Sequence, residues 1–183
     1  MKRVWRAALA ARTVRRWGGD LFDAPGMARE RQTLQHGETS VLDHSLGVAL
    51  MSLRIARRLR LRVDERALVR GALLHDYFLY DWHEPGHGVL HGVHHPKTAL
   101  LNARRDFPAL SAVEEDVILK HMFPLRPTPP RYLESWLVCV SDKVCAVMET
   151  LRVPTMNGAL REAMMGVRGM KSPEQVWAAA QRS

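Results

Sequence analysis

The stretch Leu73-Leu74-His75-Asp76-Tyr77-Phe78-Leu79-Tyr80-Asp81 sets a histidine and an aspartate side by side where an apolar helical pattern gives way to an aromatic loop. Successive residues on a helix point roughly 100° apart, so neighbours rarely share a partner. They can converge on a metal ion if the helix ends there and the ion sits at its tip. The question for the rest of the chain is which side chains would complete such a site.

Upstream, Asp64 starts the helix that carries Ala67, Leu68, Gly71, Ala72, Leu74 and His75. Before it, residues 41–60 show a clear helical period, opened by Ser40 and Asp43 as a capping pair. His44, Val48, Met51 and Ile55 fall at i, i+4, i+7 and i+11, which turns His44 toward the core. A first helix is expected over 4–16, ended by Gly18-Gly19. A short helical stretch over 27–34 follows, broken by His36-Gly37-Glu38-Thr39-Ser40.

Downstream, 77–92 reads as a loop holding Trp82, His83, His87 and His91. His94-His95-Pro96-Lys97 then begins a helix running to Phe107. Proline in a first turn is a start signal, which leaves His95 at the N-cap. Ser111 to Glu114 matches a capping box for a helix over 113–121, with Val117 and His121 on one face. The proline-rich run Phe123 to Pro130 reads as an extended loop. Residues 132–148 are apolar nearly all round, the pattern of a buried helix. Asp142 sits in its middle. A lone buried carboxylate is costly, so it must be paired, protonated or metal-bound; adjacent Lys143 does not share its face. A last helix is expected from the capping box Ser172-Pro173-Glu174-Gln175, packing Val176, Trp177 and Ala180. The fold class is all-α, with no alternating strand pattern.

Composition narrows the class further. The 183 residues suit one domain and can bury enough surface to stand without disulfides. Cys139 and Cys145 are too far apart for a redox CxxC and read as core residues in a reducing, cytoplasmic setting. No apolar run approaches a membrane span, and the basic N-terminus lacks a secretory apolar segment. The net charge of +8 is spread over the first arm and over Arg54, Arg57, Arg58, Arg60 and Arg62. Without aromatic interleaving or a nucleic-acid motif, it reads as a solvated basic face or a field that attracts phosphates, not a nucleic-acid site.

His44, His75, Asp76 and Asp142 thus form a set, each on or at the end of a core helix. Two histidines and two carboxylates suit a divalent ion such as Mn, Fe, Co, Ni or Mg. Thiolates are absent from it, so a structural zinc site is not expected.

The order His … His-Asp … Asp, over about residues 36–150, resembles the HD-domain superfamily of metal-dependent phosphohydrolases. The resemblance implies His44, His75, Asp76 and Asp142 as metal ligands. His95-Pro96-Lys97-Thr98-Ala99-Leu100 is similar to the His-Pro-x-x-Gly-Ala segment of two-metal members such as HD-GYP phosphodiesterases. It implies His95 and His121 as ligands of a second metal, with Asp76 bridging. The Gly-Tyr-Pro sequence is missing and Leu79 stands at the lysine position of those enzymes, which argues against a cyclic dinucleotide substrate.

The chemistry so implied is hydrolysis of a phosphoester or phosphoanhydride of a nucleotide or related metabolite. One or two divalent metal ions would activate a water beside phosphorus and neutralise its oxygens. Lys97, near His95, is a candidate to hold a phosphate, as are Arg126 and Arg131 around the proline-rich loop. One of His83, His87, His91 and His94, of which His83 is chosen, would serve as general acid or orient a ligand. His36, just ahead of the first ligand, could orient a ligand or substrate. Two alternatives share the same ligands: an HD-type di-iron oxygenase and a non-catalytic nucleotide sensor. The expected organisation is a basic helical arm over 1–35, an HD domain over 36–152 and a packed helical extension over 153–183. Oligomeric state is left open.

Overall fold

The computed structural model describes residues 2–36, 38–82 and 91–153, together with 155, 160, 161 and 164. Among them seven α-helices carry the fold: α1 Lys2–Gly18, α2 Pro25–Glu30, α3 Val41–Arg58, α4 Glu65–Leu74, α5 His91–Asp106, α6 Ala112–Lys120 and α7 Leu133–Thr150. The protein is all-α apart from one short hairpin, in which β1 Leu34–His36 pairs antiparallel with β2 Thr39–Ser40.

The helix starts follow the capping chemistry of the sequence. The Ser40 hydroxyl accepts the Asp43 amide at 3.1 Å, and Asp64 accepts the amides of Arg66 and Ala67 at 2.9 and 3.0 Å. Ser111 and Glu114 exchange both bonds of a capping box, at 3.2 and 2.6 Å.

At the centre, α3 packs on α4 and α7, and α6 packs on α4 and α7, so these four helices close a ring. Helix α5 lies against α6, while α1 lies against α4 and α3. Ala10, Ala11 and Val14 of α1 join the same core as Leu46, Leu73 and Val138, and Met164 does so from beyond α7. Two close approaches tighten the frame. A Cβ on Gly71 of α4 would meet the Val117 side chain of α6 at 2.8–3.0 Å, and one on Gly26 would overlap the Tyr77 hydroxyl. Buried Arg70 adds a polar tie, reaching Asp20 at 2.7 Å and Glu114 at 3.0 Å.

Four local expectations need correction. The helix expected over 27–34 starts earlier, at Pro25, whose fixed φ suits a first helical position, and it ends at Glu30. The chain then enters β1, which is too short to show the two-residue alternation that marks a strand. Helix α5 starts at His91, so Pro96 lies inside it and His95 is a helical residue rather than a cap. Because Pro96 is in the second turn, it forfeits only the bond to the Gly92 carbonyl. Helix α7 is buried on one face only: Trp136, Val140, Val144 and Val147 are 41, 49, 40 and 58% exposed. Lys143 does reach Asp142, at 3.6 Å, although its ammonium mainly donates to the His121 carbonyl at 2.7 Å.

The helix expected from Ser172 lies outside the described residues. Cys139 and Cys145 are buried and unpaired. Among the described residues no helix is long and apolar enough to cross a membrane.

Candidate metal centre

Two helices end on a histidine, and both use it in the same way. His75 is the C-cap of α4 and His121 the C-cap of α6. The last carbonyls of a helix have no intrahelical partner. Here the ring Nδ1–H of His75 donates to the Ala72 carbonyl at 2.7 Å, and that of His121 to the Ile118 carbonyl at 2.8 Å. Each bond fixes the ring orientation and turns Nε2 inward. The close contact of Gly71 with Val117, one turn before each histidine, brings the two rings to 4.9 Å.

His44 reaches the same point from α3. Its Nδ1 lies 2.8 Å from Glu149 Oε2 and its Nε2 lies 3.1 Å from Asp142 Oδ1, both acids on α7. His95 comes from α5, with Nε2 at 2.8 Å from His121 Nε2 and 3.1 Å from Asp76 Oδ1. Asp76 stands between the two halves. Oδ2 faces His75 Nε2 at 3.4 Å, and Oδ1 faces His95 and also His121, the latter at 3.5 Å.

All six residues expected as ligands are buried and together. Two triads could each hold a metal ion, His44 with His75 and Asp142, and His75 with Asp76 and His121. Within each, one donor atom per residue lies within 4.8 Å of the others.

The donor chemistry fits a cation. His75 Nε2 is buried among carboxylates without a well-formed hydrogen bond. With its Nδ1–H on a carbonyl, His75 turns Nε2 toward carboxylate oxygens 3.4 and 3.8 Å away; burial would lower its pKa, but the charges of Asp76 and Asp142 raise it. In the metal-free cluster a proton on the imidazole answers these carboxylates, and a shared divalent cation can take the place of that proton. The C-terminal ends of α4 and α6 add partial negative charge.

The titration of the metal-free cluster follows from the same geometry. Burial alone would depress His44, but its hydrogen bonds to Asp142 and Glu149 prevail and push it up to about 10. Burial would raise Asp142, yet bonding to His44 and His75 holds it well below the usual carboxylate range. Asp76 is likewise low, burial being outweighed by the charges of His75 and His95 and by bonding to His121 and His95. Burial pushes His121 down to about 4, against the pull of Asp76.

The surrounding groups support the turn after α4. The Asn102 amide donates to the carbonyls of Tyr77 and Phe78 at 3.1 and 3.0 Å, and the buried Tyr77 donates its hydroxyl to Asp106 at 3.0 Å. Leu79 has φ 61°, a left-handed conformation costly for a branched side chain. Phe78 packs 5.7 Å from the His95 ring, an apolar wall beside the centre.

Of the residues expected to meet substrate, Lys97 and His94 are exposed on α5. Arg126 spends Nη1 on the Val93 carbonyl at 2.8 Å, bracing the loop after α6 against α5. Exposed Arg131 lines a cleft of about 220 Å³ with Leu100, Lys120 and Tyr132, and none of the six histidine and aspartate residues borders it. His83 and His87, and the side chains of His36 and His91, lie outside the described residues.

Sequence reasoning missed Glu149, Gln35 and Asn102. Glu149 was within reach of it, because it stands seven residues after Asp142 and so returns to the same helix face. The Gln35 amide donates to Asp76 Oδ2 at 2.5 Å, a contact across 41 residues that no local pattern announces.

No curated protein and no solved structure matches the chain. The HD-domain family model matches residues 41–147, more than half of the sequence and the span from α3 through most of α7. The chain therefore belongs to the HD-domain family, which is metal-dependent and of hydrolase type.

Proposed function

We propose that this protein is a metal-dependent phosphohydrolase that cleaves a phosphoester or phosphoanhydride of a nucleotide or related metabolite. The observation that carries the reading is the pair of inward Nε2 atoms on His75 and His121, oriented by backbone carbonyls and facing buried carboxylates. His44, His75, Asp76 and Asp142 would hold one divalent ion, and His95 and His121 a second, with Asp76 shared between them. A bound Mn, Fe, Ni, Co or Mg ion supplies Lewis acidity toward phosphoryl oxygens and lowers the pKa of a coordinated water.

The chain's own groups do the rest. Glu149 holds His44 by Nδ1, the arrangement in which a carboxylate orients a ligating imidazole. Phe78 keeps water from one side of His95, which strengthens electrostatics inside. Lys97, two residues beyond His95, is assigned to hold a substrate phosphate, and His83 to protonate the leaving group. Arg131 remains a phosphate-binding candidate, whereas Arg126 is given a bracing role. In this reading the catalytic unit is residues 36–152, with 1–35 and 153–183 flanking it.

The test is phosphate release from a panel of nucleotides and phosphoesters, with Mn or Fe added to chelator-stripped protein. Release that requires metal and disappears in Asp142→Ala is expected. Metal-loaded protein that releases phosphate from none of them refutes the assignment.

A further inference from the structure

Helix α7 has two faces of different kind. Its inner face carries Asp142 and Glu149 toward the centre, with Val138 and Cys145 in the core. Its outer face carries Leu133, Trp136, Val140, Val144 and Val147, continued by Leu151 at the C-cap, all between 40 and 69% exposed. They recur every three or four residues, so they form one stripe along a helix about 27 Å long. Single exposed apolar side chains are ordinary, but a contiguous run of them marks an interaction surface. Among the described residues the chain after α7 does not cover it. That chain turns back over α3 instead: Thr155 donates to Glu149 at 3.3 Å and sits against Gly47, Arg161 pairs with Asp43, and Met164 enters the core.

The stripe is complementary to itself. Leu133 and Leu151 stand nine residues either side of Asp142, Val140 and Val144 two, Trp136 and Val147 six and five. Two copies of α7 laid antiparallel about an axis over the middle of the helix therefore pair Leu133 with Leu151, Trp136 with Val147 and Val140 with Val144 in a single register. Each apolar residue meets an apolar residue of the other copy, as a two-fold interface requires. The large Trp136 falls opposite a small valine, and the Phe123 ring at 5.4 Å already holds the indole edge-on, so it is a preset anchor. Lys143, at the edge of the stripe, turns its ammonium inward to the His121 carbonyl at 2.7 Å, which keeps like charges from meeting across the axis. At their exposures the six side chains present on the order of 500 Å² per copy, and half-buried Tyr132, Ala146 and Met148 extend the patch toward the about 800 Å² per partner of a stable interface. We propose that the outer face of α7 is the two-fold interface of a homodimer, packed antiparallel against α7 of a second copy. The candidate ligand Asp142 lies on the opposite face of the helix, so the inference stands independently of the metal-centre reading.

The experiment is sedimentation equilibrium of the full chain over a range of concentrations. Wild type should show twice the single-chain mass of 20.8 kDa and dissociate on dilution. Val140→Glu and Val144→Lys each place a charge at the centre of the interface, and each should halve the mass. Both positions face solvent within one copy, so circular dichroism and unfolding at concentrations where wild type is also monomeric should match wild type. A chain carrying both substitutions sets the new carboxylate of one copy against the new ammonium of the other, and should dimerise more tightly than either single variant. Wild type that keeps the single-chain mass at about 100 μM overturns the proposal and gives the stripe to another occupant, such as residues 165–183 of the same chain. A dimer that survives both single substitutions overturns it too, and a double variant no tighter than the singles overturns the antiparallel register. If one single variant does not fold, loss or survival of the dimer in the other decides.

Discussion

At His44 two carboxylates meet one ring, Glu149 at Nδ1 and Asp142 at Nε2. In the metal-free protein they stabilise the imidazolium and carry its pKa from 6.5 to about 10. The stabilisation from that shift is complete below pH 6.5 and is lost as pH rises toward 10. Asp76 and Asp142 act in the opposite direction. Their depressed pKa values stabilise the fold above the ordinary carboxylate range, and this is lost on acidification. Unfolding of chelator-treated protein in urea should therefore show stability falling from about pH 6.5 to 10, with the alkaline slope flattened in His44→Gln. With metal bound, Glu149 has a different task, because it orients the ring. Glu149→Gln should weaken metal binding by about 10–100-fold, measured by calorimetry, while circular dichroism stays that of wild type. His44, His75, Asp76 and Asp142 stood out because each lies on, or at the end of, an apolar helical pattern, whereas His95 and His121 were expected only through the family resemblance. Gln35 did not stand out, because its contact with Asp76 spans 41 residues and leaves no local pattern.

At the scale of the helices, the centre depends on how closely α4 and α6 approach. Gly71 permits the approach, and Val117, stiff at χ1, cannot yield to a new methyl group 2.8–3.0 Å away. Gly71→Ala should gain about 1 kcal/mol of helix propensity and lose about 1–3 kcal/mol to overpacking. A net loss of stability is expected, together with weaker metal binding as His75 is pushed from His121. Thermal unfolding and metal titration read the two effects. Helix α7 offers a sharper contrast. Its apolar-all-round sequence reads as a fully buried helix, but hydrophobic content does not say which face meets the core. Val138 is fully buried and Val144 is 40% exposed. Val138→Glu should cost several kcal/mol, about 3 or more, whereas Val144→Glu should stay within about 0.5; denaturant unfolding of the two variants checks the orientation. The caps at Ser40, Asp64 and Ser111 were legible because capping is local chemistry. The start of α5 was not, since Pro96 marks a helix beginning only to within a turn.

Across the whole molecule, the candidate ligands come from α3, α4, α5, α6 and α7 or their caps, so a cation at the centre would link five helices. The all-α class and the order of these helices were readable from periodicity and caps. The ring they form was not, because the contacts that close it, α3 with α7 above all, join segments nearly a hundred residues apart. The ring makes metal removal a structural event as well as a chemical one. A ligand that binds only the folded state stabilises it by mass action, about 2.7 kcal/mol at a free concentration 100 times its dissociation constant. For a chain of this length each kcal/mol moves the melting temperature by about 2–4 °C. Stripping the ion with a chelator should then lower the melting temperature by about 5–10 °C, and re-adding Mn or Fe should restore it. Asp142→Ala supplies the control, for it removes a carboxylate from the centre while leaving the caps and the Gly71 contact intact. If the ion is what joins the helices, that variant should melt at nearly the same temperature with and without chelator. A melting temperature in wild type that ignores both chelator and metal would mean that the helices hold the cluster together unaided.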